Sequence, residues 1–209
     1  MRAFIYTGGA VRTDHLIEKP AEGDLVIAAD SGYHTARALG AKIDLLLGDF
    51  DSIGAIPHEV GMEIQQVPVE KDFTDTQLAV EIALERGADD MVIIGGLSGR
   101  LDHTLSTLAV LEDLHARGCR AAVVTDGQSR ARYLKASSTL IARSECRYLS
   151  LVAVDEVVKG VTVEGCKYPL KNAILRRRNQ FAVSNEITGN VAFISVRKGG
   201  VYVIESRDL

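Results

Sequence analysis

Short apolar runs alternate with helix-like segments over roughly the first 135 residues of the chain. Each run has the length and composition expected of a buried strand. The runs are Ala3–Thr7, Leu25–Ala29, Asp44–Leu47, Ile64–Val69, Met91–Ile94 and Ala121–Thr125. Because strands that alternate with helices form βαβ units, this pattern predicts a mostly parallel, Rossmann-like α/β sheet.

Three of the intervening segments predict helices, each marked by an end signal. They are a short helix between Ser31 and Gly40, a helix that runs from the capping box Thr74-x-x-Gln77 to Gly87, and a longer helix over Leu101–Arg117. In the longest helix we expect Leu105, Leu108 and Leu111 to face the core.

The pattern changes after about residue 135, where no convincing helix remains and turn signals separate short β-rich runs. These runs are Tyr148–Val154, Gly160–Val163, Phe181–Ser184, Val191–Val196 and Val201–Ile204. The second part is therefore predicted to be an all-β sandwich or barrel. We place an α/β domain at residues 1–135 and a β-rich domain at residues 136–209, and the pattern allows a boundary between about 128 and 142.

Composition excludes several classes of protein. The 209 residues carry a net charge of −4 with a pI of about 5.8, which does not fit the basic surface of a nucleic-acid binder. The basic run Lys171–Arg178 has no interleaved aromatic residues, so we expect a solvated turn or strand edge there. No apolar run approaches the roughly 18 residues that cross a membrane.

The cysteines point to a reducing compartment. Cys119, Cys146 and Cys166 are scattered and show no CxxC spacing, which argues against a disulfide framework and a zinc site. The chain opens directly on a strand-like run, so we expect no signal peptide. The cytoplasm is the expected location.

Carboxylates collect where predicted strands end. Asp30 follows one strand, and Asp49 and Asp51 follow the next, two positions apart. Ligands of parallel α/β sheets bind beyond these strand ends. Two crowded carboxylates repel each other, and a divalent cation such as Mg²⁺ offsets that repulsion. An acidic loop without a ligand is the alternative. Asp75, at a predicted helix start, is either a third cation ligand or a residue favoured by the helix dipole.

The segment Gly95–His103, with sequence GGLSGRLDH, is typical of a loop that binds phosphate. Its glycines allow close approach of the backbone, and Arg100 offers a fork for phosphate oxygens. The segment contains neither a Walker A loop nor a GxGxxG fingerprint. His103 is either an acid or base or a structural residue near a helix start.

At these residues the chain resembles thiamine pyrophosphokinases of the bacterial type. The matching motifs occur in family order: AADSG at 28–32, GDFDS at 48–52, KDFTD at 71–75, GGLSGRLDH at 95–103, GCKYPL at 165–170 and VSNE at 183–186. The resemblance implies an α/β domain that binds ATP and a β domain that binds thiamine. It also implies a homodimer whose active site lies between the α/β domain of one subunit and the β domain of the other.

The resemblance, together with the positions along the chain, assigns roles to individual residues. Mg²⁺ is expected on Asp49, Asp51 and Asp75. Residues expected to bind the nucleotide are Asp30, Ser31, Gly95, Gly96, Arg100, Asp102 and His103. Residues expected to act in catalysis are Asp51, Asp75, Arg100 and Asp102. Thiamine is expected to contact Ser184, Asn185 and Tyr168, the last at a position where some relatives carry Trp.

Two other functions fit part of the sequence. DFDSI at 49–53 superficially resembles the start of an aspartate-nucleophile phosphatase, in which Asp49 would be phosphorylated and water would accept the group. Such an enzyme would not need ATP. A nucleotide or thiamine sensor that lacks the chemistry is the other alternative, and it would bind both molecules without releasing AMP.

Overall fold

The chain divides into two compact units. The structure, a computed structural model, describes residues 1–50, 60–68 and 73–208. Contacts between residues separate Met1–Gly127 from Gln128–Leu209. The sequence prediction placed this division after residue 135. The strand Ser129–Lys135 (numbered β7 below) pairs with a strand near the C-terminus, and so belongs to the second unit.

The first unit contains a parallel sheet. Its strands are β1 (Arg2–Tyr6), β2 (Leu25–Ala29), β3 (Leu45–Gly48), β4 (Glu63–Gln66), β5 (Asp90–Ile94) and β6 (Ala121–Thr125). They lie in the order β4-β3-β2-β1-β5-β6, and every pair is parallel. All five residues of β2 and of β5 are buried, which explains the continuous apolar runs Leu25–Ala29 and Met91–Ile94. The prediction of a parallel α/β sheet is confirmed.

Helices α1 (Gly32–Ala38), α2 (Asp75–Glu85) and α3 (Leu101–Ala116) follow β2, β4 and β5. The predicted capping box is present at α2, where the Thr74 side chain accepts from the Gln77 N–H and the Gln77 side chain accepts from the Thr74 N–H. Ser31 precedes α1 as predicted, but its side chain makes no capping hydrogen bond because its backbone is already helical.

The prediction for the apolar side of α3 was wrong at one position. Leu105 is 58% exposed, because the buried face of α3 follows the row Thr107, Val110, Leu111 and Leu114. No helix among the described residues combines the length and apolarity that a membrane crossing requires.

The order of strands places a ligand crevice in the first unit. From β1 the chain builds the sheet in one direction through β2, β3 and β4, and then returns to add β5 and β6 on the other side. The connections after β1 and β5 therefore diverge, which opens a gap beyond the carboxyl ends of these two strands.

The second unit is an antiparallel sandwich. Its strands are β7 (Ser129–Lys135), β8 (Ser138–Ala142), β9 (Tyr148–Ala153), β10 (Val157–Glu164), β11 (Leu170–Arg176), β12 (Val191–Ser195) and β13 (Gly200–Ser206). One group has the order β7-β13-β9 and the other the order β11-β10-β12-β8. Buried residues from both groups form a single apolar cluster, as the prediction of an all-β sandwich requires.

Two details of the second unit depart from the prediction. Phe181–Ser184 forms no strand, and isolated bridges of Asn185 to Leu149 and of Ile187 to Cys166 follow this stretch. The reason is local, since Ser184 has a φ of 57°, which breaks an extended path. Strands β7, β8 and β11 lie where the sequence pattern gave no strand signal.

The basic run lies largely on an edge strand. β11 ends the order of its sheet, and it carries Lys171 and Arg176 on exposed positions. Its register against β10 shifts twice, between Lys159 and Val161 and between Val161 and Val163. The prediction of a solvated strand edge is confirmed.

Candidate active site

A cleft of about 500 Å³ lies beyond the carboxyl ends of β1, β2 and β5 in the first unit. Its walls are the connections after these strands together with the first turns of α2 and α3. It brings together six of the predicted site residues: Asp30, Ser31, Asp75, Gly96, Arg100 and His103. The cleft thus occupies the crevice that the strand order creates.

Asp30 occupies a strained position between β2 and α1. Its φ of 46° is unusual for a residue other than glycine. Its backbone N–H donates to the Leu47 carbonyl at 2.9 Å, and its own carbonyl accepts from Tyr33 at 3.0 Å. Its Oδ1 atom is buried and has no hydrogen-bond partner among the described residues. A Cβ atom at Gly48 would lie 1.8 Å from this oxygen, so a glycine is needed there.

The Asp30 carboxyl group has other carboxylates as neighbours. Burial, above all, and then a hydrogen bond with Asp75 raise its pKa to about 7. The charges of Asp75 and Asp49 act in the same direction, whereas the Phe50 N–H lowers the pKa. Asp30, Asp49 and Asp75 therefore converge from three different elements, and their mutual repulsion favours either a proton or a cation.

This convergence fits a cation site that needs a further ligand. The described residues include no group of three or more His, Cys, Asp and Glu side chains arranged to hold a metal ion. The predicted ligand Asp51 lies outside the described residues. Oxygen donors, a buried oxygen without a partner and carboxylates held close together are the features that a hard cation such as Mg²⁺ satisfies. The assignment of Mg²⁺ to Asp49, Asp51 and Asp75 stays a prediction.

The raised pKa of Asp30 predicts how the stability of the metal-free protein depends on pH. The folded protein holds a proton on Asp30 up to about pH 7, whereas the unfolded chain loses it near the ordinary value of 3.8. Between these values the folded state binds more protons, so this group makes the protein less stable as pH rises. Asp30→Asn removes the titration. We expect the melting temperature of the variant, relative to wild type, to rise from pH 4 to pH 7 in the presence of a chelator. A difference in melting temperature between variant and wild type that stays constant from pH 4 to pH 7 would contradict this expectation.

Arg100 and Asp102 form an exposed pair at the start of α3. Arg100 Nη2 lies 2.6 Å from Asp102 Oδ2, and Arg100 Nε lies 3.2 Å from Oδ1. The Arg100 hydrogen bonds lower the pKa of Asp102, and the His103 N–H also donates to its Oδ1 at 3.0 Å. Asp102 does not line the cleft. Its carboxylate aligns the Arg100 guanidinium, which does.

The two glycines predicted to cradle phosphate have their N–H groups occupied. Gly95 donates to the Thr125 carbonyl at 2.8 Å, and Gly96 donates to the Gly8 carbonyl at 2.9 Å. A Cβ atom at Gly95 would lie 2.5 Å from the Thr7 carbonyl oxygen. The structure therefore gives Gly95 a packing role where β1 and β5 meet, while Gly96 forms part of the cleft wall.

A second, apolar pocket of about 110 Å³ lies in the second unit. Its lining residues are mainly apolar, and they include the predicted residues Tyr168 and Asn185: Leu149, Leu151, Val163, Tyr168, Leu170, Phe181, Ala182, Val183 and Asn185. Tyr168 is 59% exposed, and the Lys167 ammonium lies 5.6 Å from the centroid of its ring. One face of this ring thus accommodates a positive charge.

The predicted Ser-Asn pair lies beside this pocket, and its two members differ. Ser184 is exposed, and its N–H donates to Ser150 Oγ at 3.0 Å. Asn185 is buried, and its side chain is hydrogen-bonded to the backbone of Tyr168 and of Glu186. Asn185 lines the pocket and Ser184 does not.

Comparison with known families identifies both units. Residues 17–123 match the family described as thiamin pyrophosphokinase, catalytic domain. Residues 138–201 match the thiamin pyrophosphokinase vitamin B1 binding domain. The chain belongs to the thiamin pyrophosphokinase family. The resemblance seen in the sequence motifs is confirmed, and so is membership of an enzyme family.

Individual relatives agree with this assignment. The thiamine pyrophosphokinase of Bacillus subtilis (strain 168) is 29% identical over 90% of this chain and 89% of its own length. Thiamin pyrophosphokinase 1 of Caenorhabditis elegans is 27% identical over 77% of this chain and 69% of its own length. The crystal structure of the Bacillus subtilis enzyme covers 100% of both chains with a TM-score of 0.86 and 28% identity. That of a family protein from Enterococcus faecalis gives 0.84 and 28%, also over 100% of both chains.

The structure explains why particular residues occur in the thiamin pyrophosphokinase motifs. In AADSG, Gly32 is required because a Cβ atom there would lie 2.1 Å from the Tyr6 carbonyl oxygen. In VSNE, Asn185 joins two backbone segments. Asp51 and Ser52 of GDFDS, and Lys71 and Asp72 of KDFTD, lie outside the described residues.

The sequence prediction missed one group of residues that line the cleft. Thr7, Gly8 and Gly9 follow β1 and line the cleft. Thr7 Oγ1 lies 2.6 Å from Thr76 Oγ1, which ties β1 to the first turn of α2. The sequence contained an indication of this group, because the first predicted strand ends at Thr7 and two glycines follow it directly. Carboxylates and glycines follow the other strands in the same way.

Proposed function

We propose that the chain transfers the diphosphate group of ATP to the hydroxyl group of thiamine, giving thiamine diphosphate and AMP, with Mg²⁺ as the metal cofactor. The observation that carries this proposal is the cleft at the strand switch point, where carboxylates converge beside an arginine and a set of glycines, in a chain of the thiamin pyrophosphokinase family. Phosphate chemistry with a hard cation is what such a cleft supports.

The proposed reaction is a displacement at phosphorus. The thiamine hydroxyl oxygen forms a bond to the β-phosphorus of ATP, the bond from that phosphorus to the α–β bridging oxygen breaks, and AMP leaves. The hydroxyl proton passes to a base. Such transfers depend mainly on positioning and on neutralising charge, so the protein needs no covalent intermediate.

In this scheme the first unit holds the nucleotide. Asp49 and Asp75, together with Asp51, would hold Mg²⁺, which when bound neutralises charge on the phosphate oxygens. Arg100 lines the cleft with its guanidinium oriented by Asp102, and this fork suits phosphate oxygens. Ser31 and His103 line the same cleft and complete the polar wall around the nucleotide.

The surroundings of the carboxyl groups distinguish between the candidates for the base that accepts the hydroxyl proton. The hydrogen bonds from Arg100 lower the pKa of Asp102, which makes Asp102 a weak base while the pair persists. Burial raises the pKa of Asp30 to about 7, in the range suited to proton transfer near neutral pH. We therefore propose a carboxylate of the metal site, rather than Asp102, as the group that accepts the hydroxyl proton.

The apolar pocket of the second unit suits part of thiamine. Pockets for whole small molecules usually measure at least about 300 Å³, so a volume of about 110 Å³ fits one ring rather than the whole molecule. The positively charged thiazolium is attracted to an aromatic face, and Tyr168 offers one beside which an ammonium already lies. We propose thiamine contacts for Tyr168, Ser184 and Asn185, of which Tyr168 and Asn185 line the pocket and Ser184 lies beside it.

The free cysteines support a reducing location. Cys119, Cys146 and Cys166 form no disulfide, so oxidising conditions are not needed for the fold. We propose that the enzyme acts in the cytoplasm on these two small molecules, without a nucleic-acid or membrane partner.

The deciding experiment is an assay of AMP formation from ATP and Mg²⁺ with and without thiamine, with mass analysis of the product. Thiamine-dependent AMP together with thiamine diphosphate supports the proposal. Phosphate release that needs no thiamine would instead identify a phosphatase. Binding of thiamine and ATP without AMP release would identify a sensor.

We also propose that the enzyme is a homodimer with active sites shared between subunits, as the family resemblance implies. Asp75→Asn inactivates the first unit of a subunit, and Tyr168→Ala weakens the second unit. If sites are shared, coexpression of the two variants gives mixed dimers that contain one intact site, so activity exceeds the sum of the separate variants. Light scattering should give twice the mass of 22.6 kDa. A monomer, or a simple sum of activities, would contradict the proposal.

A further inference from the structure

The amide group of Asn185 is almost fully used within the protein. Its Oδ1 accepts from the N–H groups of Tyr168 and Glu186, both at 2.9 Å. Its Nδ2 donates to the Tyr168 carbonyl at 2.8 Å. A side-chain amide has two acceptor sites and two donor hydrogens, so only one hydrogen remains for a ligand. The residue is also buried, with 9% of its surface exposed.

These bonds replace strand pairing at Tyr168. β11 begins at Leu170, so Tyr168 precedes the strand and belongs to no ladder. The neighbouring Lys167 N–H donates to the Glu186 carbonyl at 2.9 Å, and Cys166 bridges to Ile187. The Asn185 side-chain amide is hydrogen-bonded to both the N–H and the carbonyl of Tyr168, and it thus extends this pairing to the residue that carries the ring.

Asn185 is itself fixed by the strand on its other side. Its N–H donates to the Leu149 carbonyl at 3.1 Å, and its carbonyl accepts from the Leu149 N–H at 2.8 Å. The residue therefore connects β9 to the segment before β11. The position of the Tyr168 backbone is set relative to the floor of the apolar pocket, which Leu149 helps to line.

We propose that Asn185 is a positioning residue, whose side-chain amide fixes the Tyr168 ring as a wall of the thiamine pocket. This inference rests on the proposed function. It explains why an asparagine stands at this position, because one side-chain amide supplies both a hydrogen-bond acceptor and a donor. Aspartate keeps the acceptor and loses the donor, and it places a carboxylate oxygen against the Tyr168 carbonyl.

A double-mutant cycle with Tyr168→Ala tests the proposal. Asn185→Ala should raise the KM for thiamine roughly 10-fold, the scale expected when a hydrogen-bonded anchor is lost, and leave the KM for ATP unchanged. If Asn185 acts through the Tyr168 ring, the same change made in Tyr168→Ala should alter the thiamine KM by less than about 2-fold. Additive effects in the cycle would show that Asn185 acts independently of the Tyr168 ring and would overturn the proposal. Asn185→Asp should resemble Asn185→Ala.

A spectroscopic readout separates the positioning role from activity. The chain contains no tryptophan, so Tyr168→Trp introduces a single reporter at this position. Adding Asn185→Ala to this variant should lower the fluorescence anisotropy of the tryptophan without any ligand. Unchanged anisotropy would overturn the proposal. If the wild-type protein shows no thiamine-dependent turnover, the proposed function is rejected. The anisotropy would still report whether the Asn185 amide holds residue 168 in place.

Discussion

Asp75→Asn is expected to lower kcat for thiamine-dependent AMP formation by at least about 100-fold, as when one group that stabilises transition-state charge is removed. The variant keeps the shape of the side chain and the Thr74 capping box of α2, so the helix start stays in place. What it removes is the negative charge that Asp75 directs at Asp30. The half-saturating concentration of Mg²⁺ should rise as well, because a carboxylate binds this cation better than an amide does.

A change in charge alone must be separated from a change at the site. Asp113→Asn is the matched control, since Asp113 is an exposed carboxylate of α3 whose partner is Arg117 at 3.4 Å, away from the cleft. Its turnover should stay within about 3-fold of wild type, in line with the small effects of exposed substitutions. Wild-type turnover in Asp75→Asn would exclude Asp75 from the metal site. Loss of turnover in both variants would point to a general effect of charge.

Gly32→Ala is expected to have the largest effect on stability. The first residue of α1 approaches the end of β1 so closely that a Cβ atom would lie 2.1 Å from the Tyr6 carbonyl oxygen and 2.7 Å from the Thr7 nitrogen. Backbone atoms cannot move aside as a flexible side chain can. We expect a loss of about 2–4 kcal/mol, which corresponds to a fall in melting temperature of roughly 5–15 °C.

The control for Gly32→Ala is an alanine at a glycine with free space around it. Gly189 has no atom within 4 Å of its built Cβ position, so Gly189→Ala should change the melting temperature by no more than about 2 °C. Equal melting temperatures of the two variants would contradict the close approach at Gly32. A selective loss in Gly32→Ala should also reduce turnover, because Asp30 and Ser31 directly precede the displaced helix.

The architecture of the first unit could be predicted from sequence because its strands are buried on both sides. β2 and β5 have no exposed position, and each contains an apolar run of at least four residues. Strands of the second unit have one buried face, and their signal is weaker. In β11 only Leu175 is buried, which explains why this strand gave no signal of its own.

The chemistry of the cleft was partly predictable for a related reason. In a parallel sheet, the residue after each apolar run lies on the ligand edge, which located Asp30 and the residues near Arg100. Sequence could not show that the Gly95 and Gly96 N–H groups are taken by Thr125 and Gly8. That pairing depends on the neighbouring strands, which lie far apart along the chain.

The role of Asn185 could not be predicted for a different reason. A polar residue within a family motif is naturally interpreted as a ligand contact. Here its amide makes three hydrogen bonds to backbone groups, and this becomes visible only when the segments around residues 168 and 185 are seen side by side. Burial and hydrogen bonding of the amide support the positioning role that we propose, and both are properties of the tertiary structure.

The edge strand β11 affects how readily the protein aggregates at high protein concentration. An open strand edge is a template on which another chain can add, and this is a common route to aggregation of β-rich domains. The lysine and arginine side chains of β11 and its two register shifts against β10 make this edge charged and irregular. A newly made chain whose sandwich has just formed thus presents a border to which a second strand adds poorly. We therefore expect the basic run to discourage pairing between copies of this chain.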